Sequence, residues 1–109
     1  LQVIAQGNWI SLKQCLKCNS LWVESAYEPY ASFVYLVRWN YTVTDWNYLN
    51  SIDNSELLIE WHKQEIKMHW TKLSSEDKSL IEKHRQRAYH QYDPIDLPNK
   101  EVNIEDLLR

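Results

Sequence analysis

The chain has 109 residues, 44% of them apolar, and a formal net charge of −3. That length supports a single domain, residues 1–109, with a core of its own, and the mild acidity disfavours nucleic acid as a partner held by phosphate neutralisation. A lone glycine, Gly7, leaves little material for phosphate-cradling loops, and no apolar run approaches the ~20 residues that a membrane helix needs.

The first stretch with a definite shape runs from Asn8 to Val23 and holds the only two cysteines, Cys15 and Cys18. The residues entering Cys15 and those leaving Cys18 both suit strands, so Cys15 to Asn19 is expected to be the turn of a hairpin. Asn19 stands where a zinc knuckle usually has glycine, and asparagine tolerates positive φ better than most side chains. Leu21 to Tyr27 continues as a strand, and Pro29 marks a corner. Tyr30 to Thr44 is rich in aromatic and β-branched residues. Its two faces, Ala31, Phe33, Tyr35, Val37, Trp39 and Tyr41 against Ser32, Val34, Leu36, Arg38 and Asn40, are both apolar in the middle. That predicts a central strand covered on both sides. Residues 1–44 therefore read as mostly strand, about three in a small antiparallel sheet.

Residues 45–92 read as mostly helix. Thr44 or Asp45 can cap a short helix through Trp46, Tyr48 and Leu49, and Asp53-Asn54-Ser55 is a turn with a second cap. From Glu56 to about Lys72 the apolar stripe is helical, with Ile59, His62, Ile66, His69 or Trp70, and Leu73. Ser74-Ser75-Glu76-Asp77 opens another helix, with acids in the first turn where the dipole favours them. Its stripe is Leu80, Ile81, His84, Ala88 and Tyr92, and Asp93-Pro94 stops it. Residues 93–109 form an acidic tail, five acids against two basic residues, either draped over the domain or standing off as an arm. The fold class is α+β: the sheet with its cysteine turn, two main helices and the tail.

Four groups of residues carry candidate chemistry. Structural zinc wants four ligands. Cys15 and Cys18 supply two, and His62, His69, His84 and His90 are spaced too widely for two of one helix to share an ion. An incomplete metal site at Cys15 and Cys18, redox chemistry and plain reduced cysteines stay open, and the ligand count favours the last, with no cofactor. The redox alternative is disfavoured because a thioredoxin-like motif opens a helix, whereas this one lies between strands. The histidines read as core or boundary residues ahead of catalytic bases. Lys83, Arg87, His90 and Gln91, with Tyr89 nearby, offer a basic helix flank for an RNA strand, diluted by Glu76, Asp77 and Glu82.

The last group is Asp45, Trp46, Tyr48, Asp53, Glu56, Glu60 and Trp61. Rings as anchors and acids for steering suit an interface with a basic protein. Six Trp and seven Tyr against one Phe exceed what a core of this size readily hides.

The pattern Gly7-x-Trp9-x-x-Leu12-x-x-Cys15-x-x-Cys18-x-x-x-Trp22, followed by Glu24 and Pro29, resembles the opening of small immunity proteins from bacterial polymorphic-toxin systems. The likeness covers roughly the first thirty residues. It implies a cytoplasmic, non-enzymatic protein that neutralises a cognate toxin by tight stoichiometric binding, with no membrane partner. The alternatives are a nucleic-acid-binding or regulatory module built on the knuckle and the basic flank, and a small histidine-dependent hydrolase or nuclease.

Overall fold

Alternating apolar residues lay down a sheet first, as seen in a computed structural model that describes residues 1–25, 35–85 and 98–109. Strands β1 (Gln2–Gln6), β2 (Ile10–Gln14), β3 (Leu21–Ser25) and β4 (Tyr35–Trp39) form an antiparallel meander in that spatial order. Leu12 opposes Val23 and Val23 opposes Val37, so three buried aliphatic side chains form a row on the inner face. The next row out, Lys13, Trp22 and Arg38, lies on the other face, where the Arg38 guanidinium sits 5.4 Å from the Trp22 ring centroid. Lys13 pairs with Glu24 beside it.

Two expectations change here. The sheet has four strands, not about three, because Gln2–Gln6 joins it. That strand is half-exposed throughout and shifts register between Val3 and Ala5, so it carries almost no burial pattern for the sequence to display. Nor is the strand ending at Trp39 central. β4 lies at one edge of the described sheet, with Val37 and Trp39 buried but Leu36 and Arg38 exposed. Leu36, the apolar residue described on its outer face, meets solvent instead of a second layer. Pro29 and residues 30–34 of that expected strand lie outside the described residues.

Helix α1 (Val43–Asp53) begins earlier in the sequence than expected. Thr42, rather than Thr44 or Asp45, is its N-cap: the Thr42 hydroxyl accepts from the Asp45 amide at 3.0 Å, and the Asp45 carboxylate accepts from the Thr42 amide at 3.1 Å. This reciprocal box satisfies two donors that the helix start would otherwise leave open. Asn54 and Ser55, both at positive φ (47° and 76°), turn the chain into α2 (Glu56–Lys72). Leu58, Trp61, His62, Ile66 and Trp70 form the buried stripe of α2, while His69 falls outside it and is exposed. α3 (Ser75–Arg85) starts with the Ser74 hydroxyl accepting from the Asp77 amide. Its expected stripe is not buried where it is described, since Leu80 is 55% exposed. Asp93-Pro94 lies outside the described residues.

The C-terminal segment is draped over the domain. Val102 and Ile104 are buried, and Ile104–Leu107 forms one short turn, α4. Gln64 clamps this segment to α2, donating to the Val102 carbonyl at 2.9 Å and accepting from its amide at 3.0 Å. A single core cluster draws on β2, β3, β4, α1, α2 and this segment. Each fully buried aliphatic side chain in it contributes about 1.5–3 kcal/mol.

Among the described residues, four of the six tryptophans, Trp39, Trp46, Trp61 and Trp70, are buried, and Trp39 meets Trp61 edge-on with centroids 5.0 Å apart. With a single Phe in the chain, tryptophan supplies the large core rings that phenylalanine and leucine usually provide.

Candidate functional site

The seven residues expected at an interface are divided by the fold. Trp46 and Trp61 are buried members of the core cluster, 0% and 5% exposed. Asp45 is engaged in the α1 cap. Tyr48 is exposed, as is Ile52 one turn further on, so the outer side of α1 presents an aromatic and an aliphatic residue to solvent. The Asp53 side chain lies outside the described residues. Glu56 is exposed in the first turn of α2. Glu60 accepts from the Lys100 amide at 2.6 Å and lies 3.7 Å from Lys63, which makes it a strut for the C-terminal segment.

That strut helps to form a concavity absent from the sequence reading. Between α2 and the C-terminal segment lies a cleft of about 290 Å³ walled by Tyr41, Trp61, Glu65, Met68, Glu101 and Glu105. Three carboxylates line it, and among the described residues none of them is in an ion pair. The Tyr41 phenol registers their field: desolvation, then the charges of Glu105 and Glu65, push its pKa above the ordinary value. Met68, 42% exposed, gives the mouth a deformable apolar edge. A lysine or arginine entering this cleft would find negative charge on both walls and an aromatic floor. The sequence signal for it was the acid excess of residues 93–109; only folding adds Glu65 from α2.

At one end of β2 the Gly7-Asn8-Trp9 turn is bolted to the α1–α2 junction. The Asn8 amide donates to the Ser55 hydroxyl at 2.9 Å, Ser55 in turn bonds Asn50, and the Ser25 hydroxyl donates to the Trp9 carbonyl. Gly7 is required by this approach, since a Cβ there would overlap Ser55 Oγ and lie 2.7 Å from Asn50 Oδ1. Trp9 sits at φ 65° with its side chain 87% exposed, an unusual pairing of a bulky residue with left-handed backbone.

At the other end of β2 is the cysteine turn. The Asn19 amide donates to the Cys15 carbonyl at 2.8 Å and the Cys15 amide to the Ser20 carbonyl at 2.9 Å, with Asn19 at φ 61° as expected for the glycine-like position. Cys15 is half-buried, Cys18 is exposed, both are free thiols, and they lie 3.4 Å apart. Ser20 Oγ lies 3.0 Å from Cys18 Sγ and 2.9 Å from Trp22 Nε1. The Cys18 thiol is lowered to about 7, first by the Ser20 hydroxyl, then by the Ser20 backbone and Cys15, with Arg38 adding a small charge effect. Among the described residues no three His, Cys, Asp or Glu side chains converge as metal donors, so this turn offers two sulfurs of a four-ligand site.

His62 is fully buried, its Nε2 3.1 Å from the Val23 carbonyl. Since a carbonyl only accepts, Nε2 carries the proton and the ring joins α2 to β3 as a neutral donor. Desolvation lowers its pKa to about 4, against the opposing pull of the Val23 and Tyr35 backbone. This is a core histidine. The His84 side chain, together with Arg87, Tyr89, His90 and Gln91, lies outside the described residues, as does the side chain of Lys83. Among the described residues no helix is long and apolar enough to cross a membrane.

No protein-family model, no curated protein and no solved structure matches this chain.

Proposed function

We propose that this protein is an immunity-type inhibitor that neutralises a cognate bacterial toxin by stoichiometric binding and performs no chemistry on it. The observation that carries the reading is the cleft in which Glu65, Glu101 and Glu105 stand unpaired among the described residues around Tyr41 and Trp61. Toxins that act on nucleic acid need a basic surface, and a lysine or arginine from such a surface is the ligand this cleft complements. Exposed Trp9, Tyr48 and Ile52 add apolar area suited to anchoring a protein partner. The opening pattern from Gly7 to Trp22 supports the same reading by resemblance.

The test is titration calorimetry against the toxin-like product of the adjoining gene. A one-to-one complex is expected, weakened at least about tenfold when Glu65, Glu101 and Glu105 are all changed to Gln, as loss of steered charge pairs predicts. A complex untouched by the triple change would move the interface off the cleft. Absence of any complex would remove the inhibitor reading.

A further inference from the structure

We propose that the turn from Cys15 to Cys18 is a thiol–disulfide exchange site, with Cys18 as the attacking sulfur and Cys15 as the resolving one, taking disulfides as its substrate class. The binding cleft does not include this turn, and the inference does not rest on the binding reading.

The argument begins with direction of hydrogen bonding. An indole N–H can only donate, so the bond between Trp22 Nε1 and Ser20 Oγ at 2.9 Å occupies a lone pair of the hydroxyl. Ser20 Oγ is thereby held 3.0 Å from Cys18 Sγ, and a Cys18 thiolate, having no proton, can only accept from the hydroxyl. A hydroxyl oriented in this way stabilises a thiolate more than a thiol, since the charged acceptor makes the stronger bond. The lowered Cys18 pKa agrees with this geometry, and Arg38, held over the same Trp22 ring, adds positive charge from β4.

Position separates the two sulfurs. Cys18 is exposed and open to a substrate from outside, while Cys15 is half-buried and 3.4 Å from it, placed for the second step. The motif lies between strands and opens no helix, yet the turn itself brings the two sulfurs together. The i to i+4 bond from the Asn19 amide to the Cys15 carbonyl closes a single tight turn within the hairpin. Residues three apart on such a turn are neighbours.

In the first step the Cys18 thiolate attacks one sulfur of a disulfide RS–SR, forming a mixed disulfide and releasing RS⁻. In the second, Cys15 gives its proton to solvent and attacks Cys18 Sγ, expelling the second RS⁻. Both released thiolates take up protons from solvent as their own acidities require. One Cys15–Cys18 bond is formed, one RS–SR bond is broken, and two electrons pass from protein to substrate.

Oxidised glutathione is the probe. Mass spectrometry of the reduced chain at pH 7 is expected to show loss of two hydrogens and no lasting adduct. Cys15→Ser is expected to accumulate one glutathionyl adduct on Cys18, and Cys18→Ser, which leaves only the half-buried sulfur, to react severalfold more slowly. Ser20→Ala is expected to slow the first step severalfold, less than the thiolate fraction alone would suggest because a more basic thiolate is also more nucleophilic. Trp22→Phe, which releases the Ser20 hydroxyl without removing it, should slow the same step. Equal reactivity of the two cysteines, or a Cys15→Ser protein that forms no adduct, overturns the proposal. Uptake of zinc by a pair of chains, with both thiols then inert to glutathione, overturns it equally.

Discussion

The two ends of strand β2 are both turns that break the ordinary rules for backbone, yet they do so for opposite purposes. At the Gly7 end, positive-φ residues from distant parts of the chain (Trp9, Asn54 and Ser55) are locked together by hydrogen bonds across roughly 46 residues of sequence. At the Cys15 end the single positive-φ residue, Asn19, serves a turn closed by its own backbone. The first turn is structural, a hinge pin between sheet and helices. The second is locally self-sufficient and leaves its side chains free for chemistry. Strain of this kind costs about 1–3 kcal/mol per residue and persists where surroundings over-determine it. The surroundings are tertiary at one end and local at the other.

The largest expected effect lies between the two turns, at His62, and tests whether the middle of the sheet depends on a neutral ring. The folded pKa of about 4 lies below the unfolded value of 6.5, so between those values the unfolded chain binds the extra proton. The His62 contribution to stability is therefore intact above about pH 6.5, is lost as pH falls through the window, and changes no further below about 4. The loss amounts to about 3 kcal/mol. Urea midpoints at pH 7, 5.5 and 4 for the natural protein and His62→Gln check it, with the variant lacking this share of the slope.

The next effect separates the ends directly. Gly7→Ala forces a methyl group onto Ser55 and Asn50 and should cost about 1–3 kcal/mol in urea unfolding. Cys18→Ser, at the exposed opposite turn, should stay within about 0.5 kcal/mol. Equal costs would erase the distinction drawn between them. The smallest effect sharpens it: Trp9→Asn replaces a bulky left-handed residue with one suited to that region and should stabilise by less than about 1 kcal/mol. A Trp9→Asn protein that is less stable would mean that the exposed ring packs on its own turn.

Much of this architecture was legible in residue order. The span Glu56–Lys72, the Ser74 start and the hairpin around Cys15 to Cys18 rest on neighbours within a few positions, where periodicity and side-chain-to-backbone bonding act, whereas the α1 cap, expected at Thr44 or Asp45, falls on Thr42. β1 was hidden because it joins the sheet by backbone pairing while burying little. The fate of the tryptophans was hidden for a related reason: Trp46 and Trp61 look the same in sequence whether they anchor a partner or fill a core. What decided between these was tertiary packing, which places both rings in the buried cluster that also holds Leu12, Val23 and Val37.

The acidic cleft shows the same division. Residue order set the local pieces, a helix bearing Glu65 and a tail rich in carboxylates. Only the docking of Val102 and Ile104 through Gln64 brought Glu65, Glu101 and Glu105 around one cavity. Sequence alone determines the helical spans and the cysteine hairpin, because those interactions reach only a few residues along the chain. The sites on this protein come from contacts between elements, and those are decided by which apolar faces find each other when the chain closes.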